Sequence, residues 1–129
     1  MHRTIRAAFS LVLLLSTSAL MTAASEGPQT QRLDYDSSLR CHALLKYFAD
    51  LNGEQAHPSV REGVMQARLL ARLYGDEQGK SLQTTLADLA TEVTRRHQQL
   101  EATDLRQESA VTAIGAEINQ CLQLIAATQ

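Results

Sequence analysis

Residues 111–125 read VTAIGAEINQCLQLI, and their spacing decides the fold. Val111, Ile114, Gly115, Ile118, Cys121, Leu122 and Ile125 recur at three- and four-residue steps, which places them on one face of an α-helix. The only other cysteine is Cys41, and it too sits on an apolar stripe, with Leu44, Leu45, Phe48 and Leu51. Two cysteines on the inward faces of helices near opposite ends of the chain are expected to close into a disulfide, provided that the compartment is oxidising.

The N-terminal residues point to such a compartment. His2-Arg3-Thr4-Ile5-Arg6 is a positively charged start, and Ala7 to Leu15 is an apolar run that resumes at Ala19-Leu20-Met21. Small residues gather at Thr22-Ala23-Ala24-Ser25. Together they predict a signal peptide over residues 1–24, cleaved after Ala24 or Ser25. The run is shorter than the ~20 apolar residues that a spanning helix needs. No cysteine in or beside it offers a lipid attachment point. The mature protein is therefore expected in the periplasm or the secreted space, with no membrane anchor after signal cleavage.

Cleavage would leave ten basic and fourteen acidic residues, a net charge of −4 with histidines neutral. A mildly acidic chain without a basic run argues against nucleic acid as a partner. Tryptophan is absent, and Tyr35, Tyr47, Phe48 and Tyr74 are the only aromatics beyond the signal, so surfaces for stacking on bases or sugars are few.

Residues 25–33, with Gly27 and Pro28, read as a flexible leader, and residues 34–129 as one helical domain with a single core. The first helix is expected from about Asp36 to Leu51, capped by Asp36 or Ser37 and stopped at Asn52-Gly53. Pro58 and Ser59 open a second, in which Ser59 and Glu62 fit a capping box and Gly75 follows the last residue, Tyr74. Its buried face is Val60, Gly63, Val64, Ala67, Leu70, Ala71 and Tyr74, and the small Gly63, Ala67 and Ala71 invite close approach by another helix. A third helix starts between Asp76 and Ser81, with Leu82, Leu86, Leu89, Val93 and Leu100 as its stripe. Asp104 offers a cap for the fourth; a single long helix over residues 81–127 is the competing reading. The fold class that follows is all-α: an antiparallel up-down-up-down four-helix bundle closed by Cys41–Cys121.

Chemistry-bearing constellations are sparse. The haem-attachment pattern of two cysteines followed by histidine is missing, and Met65 projects away from the main buried face of its helix. His42, His57 and His97 fall on three segments with no pair one turn apart; His97 and Glu101 are spaced to pair with each other. No nucleophile elbow or phosphate loop is present. The chain therefore reads as non-enzymatic, with no cofactor and no dedicated metal site.

The second helix carries a more suggestive pattern. Met65, Leu69 and Leu73 form a ridge opposite its main buried face, at about 140–220° round the helix from Val60, and Arg61, Arg68 and Arg72 run alongside at about 80–120°. An apolar ridge bordered by arginines has the composition of a protein interface. The competing reading buries the ridge on a central helix, with the arginines reaching outward. The function expected is protein–protein interaction in the bacterial envelope, as an inhibitor, immunity-type or assembly accessory factor. The partner is another exported or envelope protein, or a second copy in a homodimer. The alternative is a carrier of a ligand, haem or metal in the bundle interior. In export, size and paired cysteines the chain is similar in kind to small helical envelope proteins such as secretion-system pilotins and periplasmic immunity proteins. It shares no motif with them. Mass spectrometry of the exported protein with and without reductant is expected to show a two-hydrogen difference and no disulfide-linked dimer; free thiols in the mature protein would refute the pairing.

Overall fold

The structure, a computed structural model, describes residues 32–129; the expected signal peptide and residues 25–31 of the expected leader lie outside the described residues. Within that range the protein is all-helical: α1 (Tyr35–Asn52), α2 (Pro58–Glu77), α3 (Leu82–Glu101) and α4 (Glu108–Thr128), with a short 3-10 turn at Gly53–Gln55. Cys41 and Cys121 are disulfide-bonded, with Cα atoms 5.5 Å apart across 80 residues of sequence.

Each helix end has a local cause. Asp34, not Asp36 or Ser37, caps α1. Its carboxylate accepts from the Ser37 amide at 2.8 Å, and the Ser37 hydroxyl accepts from the Asp34 amide at 2.8 Å. Hydrogen bonds to the carboxylate from the Ser37 amide and, at 2.7 Å, the Ser37 hydroxyl hold the Asp34 carboxyl below its usual range. Leu33, just before the cap, is buried in the main apolar cluster. His57 caps α2 in place of the Ser59–Glu62 box, its Nδ1 accepting from the Ser59 amide at 3.2 Å. Gly75 lies inside α2, and the stop comes at Gly79, whose φ of 77° suits glycine. The Lys80 amide then donates to the Gly75 carbonyl at 2.8 Å and the Gly79 amide to Asp76 at 3.0 Å, a Schellman closure. Asp104 caps no helix; its carboxylate accepts from the Arg106 amide at 3.0 Å within the 102–107 connection that separates α3 from α4.

Helix α1 is the hub. It contacts all three other helices, most extensively α2 and α3, whereas α3 and α4 make no close backbone approach. Buried Leu44 and Leu45 of α1 pack with Ala67 and Leu70 of α2, Leu100 of α3 and Ile114 and Ile125 of α4. The small strip on α2 works as its spacing suggests. A Cβ added at Gly63 would lie 2.8 Å from Leu45 Cδ1 and 3.0 Å from Leu122 Cδ2, so α1, α2 and α4 meet there. Arg96 of α3 reaches Glu117 of α4 at 2.8 Å.

The stripe on α3 is displaced from the leucines. Thr85, Leu89 and Leu100 are buried, while Leu82 and Leu86 face solvent. The buried face is centred roughly 40° to one side of the leucine row. A polar cluster turns it: Tyr35 donates to Asp88 at 2.6 Å, and Lys80 lies 4.7 Å from the centre of the Tyr35 ring and 3.8 Å from Asp88.

Gly75 is packed against Thr85 and the Tyr35 ring, where an added Cβ would collide with Thr85 Oγ1 and come within 3.1 Å of Tyr35 Cε2; the space around Gly115 is open. Gly75→Ala gains helix propensity of about 1 kcal/mol but overpacks a site bounded by two held side chains, at a cost of about 1–3 kcal/mol. We expect denaturant unfolding to show net destabilisation for Gly75→Ala and a gain of about 0.5–1 kcal/mol for Gly115→Ala.

Candidate functional site

The ridge on α2 is open to solvent. Met65 is 66% exposed and Leu69 and Leu73 each 52%, which excludes the reading that buries α2 on both sides. Because Leu82 (52% exposed) and Leu86 (37% exposed) of α3 also face outward, the apolar surface spans two neighbouring helices.

Two concavities lie on this surface. One, of about 380 Å³, opens where α2 turns into α3 and is lined by Leu69, Leu73 and Leu82 with Arg72, Asp76 and Lys80. The other, of about 350 Å³, lies over α1, with His42, Lys46, Arg68, Leu86 and Val93 among its lining residues. Arg68 and Arg72 are one turn apart, as are Leu82 and Leu86, so the concavities adjoin. Of the six residues singled out on α2, the structure gathers Leu69, Leu73, Arg68 and Arg72 here. Met65 and Arg61 are exposed but line neither hollow.

Lys46, Lys80, Leu82 and Leu86 escaped the sequence reading of this surface. The leucines carried a helical period and were assigned inward; the Tyr35–Asp88 contact, 53 residues apart in sequence, and Thr85 packed on Gly75 set the other face of the helix inward. The unpaired charge on the face is mainly cationic, with Asp76 the one lining carboxylate that makes no ion pair among the described residues. Arg61, Arg68 and Arg72 make no ion pair among the described residues, whereas Lys46 is paired with Asp50 at 3.0 Å and Lys80 with Asp88.

The groups best equipped for chemistry are occupied structurally. His57 caps α2, and His97 contacts Glu101 at 2.9 Å. Tyr35 donates to Asp88, and its phenol is raised above the ordinary range, mainly by burial and then by that carboxylate. No group of three or more His, Cys, Asp or Glu side chains among the described residues is placed to hold a metal ion. Helix α4 is long and apolar enough to cross a membrane by length and composition. Its disulfide to α1 and its mid-helix Glu117–Arg96 pair tie it to the helical domain. Comparison with family profiles, curated proteins and solved structures finds no match to this chain.

His42 lies at the floor of the second hollow, buried, with Nδ1 donating to the Val64 carbonyl at 3.1 Å in the neutral tautomer that this contact selects. Burial lowers its pKa most, and the nearby Arg68 and Lys46 push the same way; the Val64 carbonyl and Asp50 oppose them. Between the lowered folded value and the ordinary ~6.5, the unfolded chain binds a proton that the folded one does not. Stability from this group is therefore complete above about pH 6.5 and lost as pH falls through that window. Denaturant unfolding from about pH 7.5 to about pH 5.5 should show the decline, and His42→Gln should flatten it. An unchanged slope in the variant would assign the decline elsewhere.

Proposed function

We propose that this chain is a small exported, non-enzymatic protein-interaction module of the envelope, an inhibitor, immunity-type or assembly accessory factor, whose working surface is the outer face of α2 and α3. The observation that carries this reading is the clustering of exposed Leu69, Leu73, Leu82 and Leu86 on adjacent turns of two helices beside Arg68 and Arg72. Isolated exposed leucines are ordinary on a protein surface, whereas a contiguous apolar patch with arginines at its edge suits a partner protein.

The reading includes export to the periplasm or beyond after removal of residues 1–24. The disulfide supports a non-cytoplasmic, oxidising setting. It also includes helices that alternate in direction around α1, as an up-down-up-down bundle. Supporting contacts run in opposite order along α1 and α2: Tyr35 lies beside Gly75, and Leu45 beside Gly63. The non-enzymatic part rests on the structural employment of His42, His57 and His97.

A photo-crosslinking amino acid at position 86 tests the surface in the exported protein. We expect one discrete protein adduct, lost on Leu69→Glu and absent when the crosslinker sits at position 123 on α4. Leu69 faces solvent, so Leu69→Glu should keep its helicity and stay within about 0.5 kcal/mol of the parent stability. Equal adducts from positions 86 and 123, or an adduct indifferent to Leu69→Glu, would refute the interface.

A further inference from the structure

Resting on that reading of the face as a protein interface, we infer that its occupant is an acidic amphipathic helix of the partner protein, with leucine-like anchors one turn apart and carboxylates flanking them. Three observations select this chemistry. Leu69, Leu73, Leu82 and Leu86 line hollows between helices, where side chains of an incoming helix can insert as ridges into grooves. Leu69 and Leu73 on α2, and Leu82 and Leu86 on α3, step by four residues, so anchors at i, i+3 and i+4 of an incoming helix match their rise.

Charge then discriminates among helices. Arg68 and Arg72 stand beside these anchors without ion-pair partners among the described residues, and Lys46 and Lys80 line the same two hollows. The two arginines are one turn apart, about 6 Å along the axis. Carboxylates at i and i+4 on the incoming helix would meet both. In a two-fold contact, cations at the axis would meet their own copies, and Asp76 would be the one unpaired carboxylate lining these hollows to answer them. The two unpaired arginines therefore favour a partner richer in carboxylates over a second copy.

Two synthetic helices of about 16 residues, long enough for measurable helicity, test the assignment. They share a leucine pattern and differ only in carrying glutamates or lysines beside it. Fluorescence anisotropy with the disulfide-bonded protein should show the glutamate peptide binding about tenfold tighter, each exposed pair contributing a factor of up to about 5. That preference should shrink as salt rises from about 50 mM to about 500 mM. The Arg68→Glu/Arg72→Glu double variant should invert it while circular dichroism stays unchanged, and Leu69→Glu should abolish binding of both peptides. Equal binding of the two peptides, or binding of neither, would overturn this inference. The crosslinking result could still stand, because it is indifferent to the charge of the partner. A dimer in sedimentation that Leu69→Glu disperses would overturn it in favour of a second copy. Leu69-dependent binding to phosphatidylglycerol vesicles would overturn it in favour of a membrane.

Discussion

The bond between Cys41 and Cys121 fixes the one helix that noncovalent packing grips lightly. Helix α4 buries only Ile114, Cys121 and Ile125 fully and makes no close backbone approach to α3. Its noncovalent hold comes from Ile114, Ile118, Leu122, Leu124 and Ile125 at the main cluster, from the Glu117–Arg96 pair and from Gln129 donating to Gln66 at 3.2 Å. Closing an 80-residue loop restricts the unfolded chain by about 4–5 kcal/mol in the loop-entropy account. Total stabilities of such domains are only ~5–15 kcal/mol. Without the bond, an apolar helix with two charged residues, Glu108 and Glu117, would be left to limited contacts. The tie also decides what stays open. It seats α4 against Gly63, about 120° round α2 from Leu69, and so leaves the ridge side of α2 uncovered.

Burial of α1 among three helices creates a second demand, because its polar groups must find partners inside. Ser38 donates to the Asp34 carbonyl at 2.6 Å, and His42 uses the Val64 carbonyl. Tyr35, mostly buried at the start of α1, takes Asp88 of α3. Leaving any of these groups unpaired would cost about 1–3 kcal/mol, as much as burying one more leucine gains. At α3 the hydrogen bond wins. The helix turns Thr85 and Asp88 toward Tyr35 and Gly75, and Leu82 and Leu86 are carried outward.

That competition separates what the sequence could disclose from what it could not. The stripes of α1, α2 and α4 were legible where periodicity and burial coincide, but Leu51 near the end of α1 and Val111 at the start of α4, both read as inward, are 61% and 51% exposed. The paired cysteines were legible because both lie on buried faces. The breaks near Gly53 and residues 102–107 were legible or nearly so, whereas the caps at Asp34 and His57 depended on which of several neighbouring polar groups reached an amide. Half of the candidate site could be read from Leu69 and Leu73, part of an apolar row opposite the buried face of α2, though Met65 in the same row lines neither hollow. The α3 half could not, since its leucines have a core-like period and the contacts that set Thr85 and Asp88 inward lie far off in sequence. Arg61 shows the same limit: helical phase alone grouped it with Arg68 and Arg72, but it lines neither hollow.

The charge pattern of the face also sets how it can recognise anything. Acidic residues outnumber basic ones in the chain, yet around the two hollows the unpaired arginines Arg68 and Arg72 stand beside the paired lysines Lys46 and Lys80, with Asp76 the one unpaired lining carboxylate. At physiological salt the screening length is about 8 Å, so the acidic total is nearly invisible to a partner already at the surface, and the nearest cations dominate. Long-range steering of an acidic partner is correspondingly weak, and the local cations act after contact, by fixing register and rejecting like charge. On the proposed reading, affinity would come chiefly from filling the hollows beside Leu69, Leu73, Leu82 and Leu86. Such a surface, on that reading, would separate its tasks: the exposed leucines, two of them carried outward on α3, would hold the partner, and the unpaired arginines one turn apart would choose which partner is held.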